Sequence, residues 1–244
     1  MAQSSPQPNF ISNGLNGPSS NLPIILCLHG SGTNATIFNV QTMRLQRALL
    51  KSFRFVFLDG PIDSSPGPGV LPMFEGCGPY LRWLRPDESV THMPPETRKL
   101  IVRAILAIEG DVVGVLGFSQ GSKLAAGLLW EQEFRRRNGD VGGRGIGDGF
   151  NFKFGVFTHG ISPPMTEHLV EDEQKDNIIE LPSLHVVGAD DEWAESGRTL
   201  FDRYFDKKTA KKLEFDIGHR LPTEEAETAK IAEEILRIYD ETCR

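Results

Sequence analysis

The chain has 244 residues, 39% of them hydrophobic and 24% charged, with a formal net charge of −7. That length supports a full hydrophobic core without a metal or disulfide staple, and the acidic balance, with no basic patch, argues against a nucleic-acid partner. Three widely spaced cysteines, Cys27, Cys77 and Cys243, match neither a disulfide framework nor a zinc site, and no apolar run reaches the length of a membrane span.

Residues 1–21 are polar and rich in Ser, Pro, Asn and Gly, without the basic start and apolar stretch of a signal peptide. They are expected to be a disordered tail ahead of one domain over 22–244, in a reducing compartment such as the cytoplasm. Ile24–His29 is a continuous apolar run of the kind found in strands buried on both faces. It ends at Gly30-Ser31-Gly32, and apolar positions at helical spacing follow over 34–51. A second buried strand is expected over 53–60. Residues 61–92 are broken by six prolines and four glycines, so a long lid-like loop with little regular structure is expected there.

The pattern then alternates. A helix is expected over 95–109, a strand over 111–118, and a helix over 120–137 closing on Arg135-Arg136-Arg137, where positive charge suits the helix C-terminus. A glycine-rich linker spans 138–150 and lacks the lysine of a phosphate-binding loop. Strands are expected over 152–160, 184–191 and 212–219, with helices over 192–205 and from 223 to the end. Alternating strands and helices build a mostly parallel sheet covered on both faces. In such sheets the chemistry gathers beyond the carboxyl ends of the strands.

Gly117-Phe118-Ser119-Gln120-Gly121 is a G-x-S-x-G match. Alone it is weak, and Ser119 would pass for a helix cap. It gains force because it directly follows a buried strand and directly precedes a helix, the setting of a nucleophile elbow. A serine hydroxyl needs a base to take its proton. His219 alone among the six histidines both follows the acid candidates and ends an expected strand. The acid falls among Asp190, Asp191 and Glu192 after the fifth strand. Backbone N–H groups of Gln120 and of Ser31, in the first loop, are the expected oxyanion donors. His29 is expected to shape that loop, His185 to pack in its strand, and Cys27 to be a small buried hydrophobe. Phe74, Tyr80 and Trp83 from the 61–92 segment either pack on the body of the domain or line a substrate pocket with Leu221 and His159, and His159 has a structural role as its other reading.

The segments ILCLHGSGTNATIF, FVFLDGP, GPYLRWL, GVLGFSQG, LHVVGADDEW and GHRLP together resemble the FSH-type family of serine hydrolases, over about residues 24–222. The resemblance implies the α/β-hydrolase fold. It also selects Asp191, the last position of G-x-x-D in Gly188-Ala189-Asp190-Asp191, as the triad acid. It departs at Thr158-His159-Gly160, where many relatives carry Ser-Gly-Phe, which bears on pocket shape and not on the triad. The implied activity is hydrolysis of an acyl ester or thioester with no cofactor and no metal. The implied setting is fungal secondary metabolism, with a substrate that includes a polyketide on a carrier protein. A general carboxylesterase on small lipophilic esters, an acyltransferase and a non-catalytic binding protein on the same scaffold are the rival readings.

Overall fold

Ile24–Leu28 is buried at every residue, and that property dictates its place in the middle of the sheet. A strand with no polar side cannot present a face to water, so it needs helices above and below. The computed structural model describes residues 8–12, 21–86, 92–137, 151–166 and 178–242. The glycine-rich linker 138–150 lies outside the described residues.

The sheet has seven strands: β1 (Phe10–Ser12), β2 (Ile24–Leu28), β3 (Arg54–Leu58), β6 (Val112–Phe118), β7 (Phe154–Thr158), β8 (Ser183–Gly188) and β9 (Ala210–Phe215), in the order β1-β3-β2-β6-β7-β8-β9. Every pairing from β3 to β9 is parallel. A small antiparallel pair, β4 (Ile62–Ser64) with β5 (Tyr80–Arg82), stands apart from it. The helices are α1 (Ala35–Gln41), α2 (Met43–Ala48), α3 (Pro95–Ala107), α4 (Gln120–Arg137), α5 (Ala194–Tyr204) and α6 (Glu225–Thr242).

Successive strand residues point to opposite faces, and β2 shows the consequence. Ile24, Leu26 and Leu28 join a core with Leu100, Leu124 and Leu200 of α3, α4 and α5. Ile25 and Cys27 join a second core with Phe38, Leu45 and Ile235 of α1, α2 and α6. Helix α4 lies so deep that Glu131, Gln132 and Glu133 are buried too. Each finds a polar partner: Arg98 for Glu131, the Phe152 main chain for Gln132, and the N–H groups of Glu180 and Leu181 for Glu133. Unpaired, each would cost more than its neighbours' burial returns.

One expectation fails. The tail is not structureless throughout, because Phe10–Ser12 pairs antiparallel with β3. Without it β3 would present an open sheet edge, and such an edge recruits any extended segment within reach. The described residues 61–86 hold little regular structure. Within them β4 and β5 pair, and Leu81 bridges to Thr33.

Strand order reverses direction between β2 and β6, since β3 lies on one side of β2 and β6 on the other. This switch point leaves a crevice at the carboxyl ends of the two strands. The loop after β2 and the turn after β6 therefore face each other.

Candidate active site

Ser119 sits at φ 52°, in the left-handed region that non-glycine residues rarely enter. Its N–H is held by the carbonyl of Thr158 at 3.0 Å, and its own carbonyl accepts from Ser122 N at 2.9 Å. The flanking glycines answer to crowding. A Cβ on Gly117 would lie 2.4 Å from the Gly121 carbonyl, and one on Gly121 would lie 2.0 Å from the Leu28 carbonyl. Backbone strain of order 1–3 kcal/mol at Ser119 thus persists because the packing around it allows nothing else.

Of the three neighbouring acids, Asp191 alone is buried, at 7% exposure, while Asp190 and Glu192 are exposed. Asp191 Oδ1 accepts from the N–H of Trp193 at 2.9 Å. Oδ2 accepts from two imidazoles, Nδ1 of His219 at 2.8 Å and Nδ1 of His159 at 2.7 Å. Burial by itself raises the Asp191 pKa. The hydrogen bonds from Trp193, His219 and His159 outweigh it, and the carboxyl lies below its ordinary value. His219 is caged by Trp193, Phe118 and His159, with ring centroids 4.5, 5.0 and 5.3 Å away. With Nδ1 committed to Asp191, its Nε2 is the nitrogen left for chemistry.

Among the described residues, His159, Asp191 and His219 are also the one group of potential metal ligands within reach of a shared cation, all within 4.8 Å. Their spacing is that of hydrogen bonds. Two ligands of a tetrahedral zinc ion stand about 3.3 Å apart, given bonds of about 2.0 Å, and both contacts to Asp191 are shorter.

Ser119 and His219 open into one cavity of about 970 Å³, together with Gly30, Ser31, Gln120 and Trp193. Gln120 begins α4, and the first N–H groups of a helix have no helical acceptor. Its side chain is turned away, accepting from the Trp83 N–H at 2.8 Å. The Ser31 loop is pinned from the other side. Gly32 donates to Leu81 and accepts from Gly67, and His29 Nε2 accepts from Gly60 N at 2.9 Å while its Nδ1 donates to the Gly30 carbonyl at 2.7 Å. That arrangement requires a neutral ring. Burial first, against the Gly30 hydrogen bond and the charge of Asp59, brings the His29 pKa down to about 4.

Phe74 and Leu221 line the cavity. Trp83, Tyr80 and His159 do not. Trp83 is fully buried, its indole N–H donating to the His29 carbonyl at 2.7 Å and its ring 4.9 Å from that of His29. A large ring with one polar atom is most stable where the ring is dry and the N–H is matched, and the core beneath the loop meets both needs. Tyr80 donates its hydroxyl to the Phe74 carbonyl at 2.6 Å, which ties the loop to itself. His159, also in the left-handed region at φ 51°, is 2% exposed and turned onto Asp191. Burial, opposed by the hydrogen bond to Asp191, lowers its pKa. His185 and Cys27 are packed in their strands.

Several cavity residues were given no role from the sequence, among them Trp193, Arg82, Lys123, Arg44, Arg47 and Arg220. Lys123 alone carried a visible signal, as a lysine within the apolar first half of α4.

Known proteins resemble this chain in sequence and in fold. The chain is 37% identical over 223 residues to "Esterase FUS5" of Gibberella fujikuroi, covering 89% of this chain and 87% of the relative. It is 32% identical to "Thioesterase FSL2" of Gibberella zeae, covering 90% and 93%. Among solved structures, a Bacillus cereus carboxylesterase superposes with a TM-score of 0.58 at 16% identity, covering 95% of this chain and 94% of that one. Zea mays acyl-protein thioesterase 2 gives 0.54 at 16% identity, covering 94% and 98%. At that identity the likeness is one of fold, and the fold is that of α/β-hydrolases. The elbow, the caged imidazole and the cavity they share meet in a chain that matches the serine hydrolase (FSH1) family over residues 20–231, and the chain belongs to that family.

Proposed function

We propose that this serine hydrolase cleaves acyl esters or thioesters through an acyl-enzyme on Ser119, with His219 as base and Asp191 as the orienting acid. The observation that carries the reading is the pairing of His219 Nδ1 with buried Asp191 beside a left-handed Ser119 in one cavity. His219 Nε2 takes the Ser119 proton as Oγ attacks the carbonyl carbon. The N–H groups of Ser31 and Gln120 receive the oxyanion. Collapse expels the alcohol or thiol, which leaves with the proton from His219. Water then attacks the acyl-enzyme, giving its proton to His219, and Ser119 and a free acid result. Asp191 holds the imidazole in one tautomer and stabilises its cation throughout.

The relatives' names, esterase and thioesterase, support this substrate class. Their fungal sources support a place in fungal secondary metabolism, and we extend the reading to a polyketide-type acyl group on a carrier protein among the substrates. Among the described residues, buried Cys27 and exposed Cys77 are free thiols, which suits a reducing cytoplasmic setting, and no described helix is long and apolar enough to cross a membrane. Labelling by a fluorophosphonate probe tests the assignment: wild type should label and Ser119→Ala should not. An S119A protein that labels and turns over at near-normal rate would end this reading.

A further inference from the structure

The cavity that holds Ser119 differs in charge from the chain around it. The protein carries a formal net charge of −7, yet five cationic side chains, Arg44, Arg47, Arg82, Lys123 and Arg220, line this one space. No aspartate or glutamate is among its described lining residues. The five come from four separate elements: α2, β5, α4 and the loop after β9. Chance enrichment on one helix face does not account for that distribution.

Lys123 is the sharpest of these. It lies one helical turn beyond Ser119, its N–H reaching back toward the Ser119 carbonyl at 3.3 Å, and it is only 4% exposed. Among the described residues no carboxylate offsets its ammonium. Burial alone acts on it and brings its pKa down to about 8, so it is still largely cationic at neutral pH. Arg82 adds a buried Nε with no hydrogen-bond partner among the described residues. A buried cation without a counter-charge is costly to keep. Glu131 and Glu133 of the same helix, by contrast, are each matched by a partner. The unmatched charge faces the substrate side.

Building on the acyl-hydrolase reading above, we infer that the substrate carries an anionic group and that Lys123, with Arg82, is its binding site. Arg44 and Arg47, exposed and nearer solvent, extend the same field outward and would draw such a substrate in. The shared chemistry is an oxyanion accepting from an ammonium and a guanidinium. It has two sources in a substrate of this class: a carboxylate on the acyl chain, or a phosphate on the thiol carrier.

Matched thioesters separate the sources. One arm compares glutaryl with 5-oxohexanoyl thioesters of N-acetylcysteamine, which are alike in shape and differ in charge. The other compares butanoyl thioesters of pantetheine and 4′-phosphopantetheine, which differ by the phosphate. A hydrogen-bonded charge pair is worth about 10- to 100-fold in kcat/KM. Wild type should prefer the anionic member by at least about tenfold in one arm, and that arm identifies the source. In Lys123→Met the preference should fall to within about threefold, whereas Lys123→Arg should keep most of it. Arg82→Gln should weaken the preference in the same arm, which provides a second reading should K123M fold poorly. The inference is overturned if wild type shows no anionic preference in either arm, or if the preference survives in both K123M and R82Q. Fluorophosphonate labelling of wild type accompanies the kinetics. A protein that labels and hydrolyses the neutral members without anionic preference overturns the anion site alone. One that neither labels nor hydrolyses any member overturns the Ser119 reading on which it rests.

Discussion

Two regions at the carboxyl edge of the sheet each offered several candidates of one chemical kind, and the fold chose among them by different means. After β8 stand three consecutive acids, Asp190, Asp191 and Glu192. After β3 stand the aromatics Phe74, Tyr80 and Trp83. Among the acids the main chain decides. The turn that follows Gly188, closed by Asp191 N to the Gly188 carbonyl at 3.2 Å, directs one carboxylate inward and leaves its neighbours in water. Among the aromatics packing decides. Trp83 drops into the core beneath the loop and Tyr80 bonds its own segment, which leaves Phe74 for the cavity. Main-chain geometry is local and reads on in a motif. Packing is settled by what lies underneath, which the loop's own sequence does not contain.

The largest effect expected breaks the first half of this comparison. Asp191→Asn should lower kcat by about 10⁴, because an amide no longer fixes the tautomer of His219 or stabilises its cation. Asp190→Asn, at an exposed side chain, should change it less than about threefold. Steady-state kinetics on one thioester decides, and an Asp190→Asn variant as crippled as Asp191→Asn would move the acid by one residue.

The second half is broken by Trp83→Ala. Removing a fully buried indole costs about 3–5 kcal/mol, or about 6–20 °C in Tm for a chain of this size. Its activity should fall in parallel at every acyl chain length. A change in chain-length preference with an unchanged Tm would return Trp83 to the pocket wall.

Acid tests the same end of the loop without mutation. His29, tilted against the Trp83 ring, must be neutral to accept from Gly60 N. Its folded pKa of about 4 lies below the unfolded value near 6.5, so its contribution is whole above pH 6.5 and is lost as the pH falls toward 4. Protonation would cost about 3 kcal/mol by pH 4. Buried His159 and His185, also with lowered pKa values, act in the same direction. Denaturant midpoints at pH 8, 6 and 4 should decline below pH 6.5. A flat profile would mean that the His29–Gly60 contact does not hold the loop.

The smallest effect sharpens the comparison. Phe74→Ala should reduce the ratio of kcat/KM between long and short acyl thioesters by a few-fold, at about 0.8 kcal/mol for each methylene that loses contact. An unchanged ratio across an acyl series would take Phe74 off the binding surface.

Much of this protein was legible from the chain alone, for reasons that are local. Continuous apolar runs such as IILCL mean strands covered on both faces, and helices between them make the sheet parallel. G-x-S-x-G locates Ser119 because its two glycines stand where any Cβ would meet backbone within 2.4 Å. His219 and Asp191 follow from their position after successive strands, the second with the help of a family pattern. What the tertiary structure decided depends on partners distant in sequence. Residues 10–12 become a strand only because β3 offers an open edge. His159 turns away from the cavity because Asp191, 32 residues later, has an oxygen to share. The charge of the cavity is the same kind of fact. Arg82, Arg44 and Arg47 do not stand out in a chain of net negative charge, and Lys123 stands out only against the apolar half of α4. They become one site only when β5, α2 and α4 converge on Ser119.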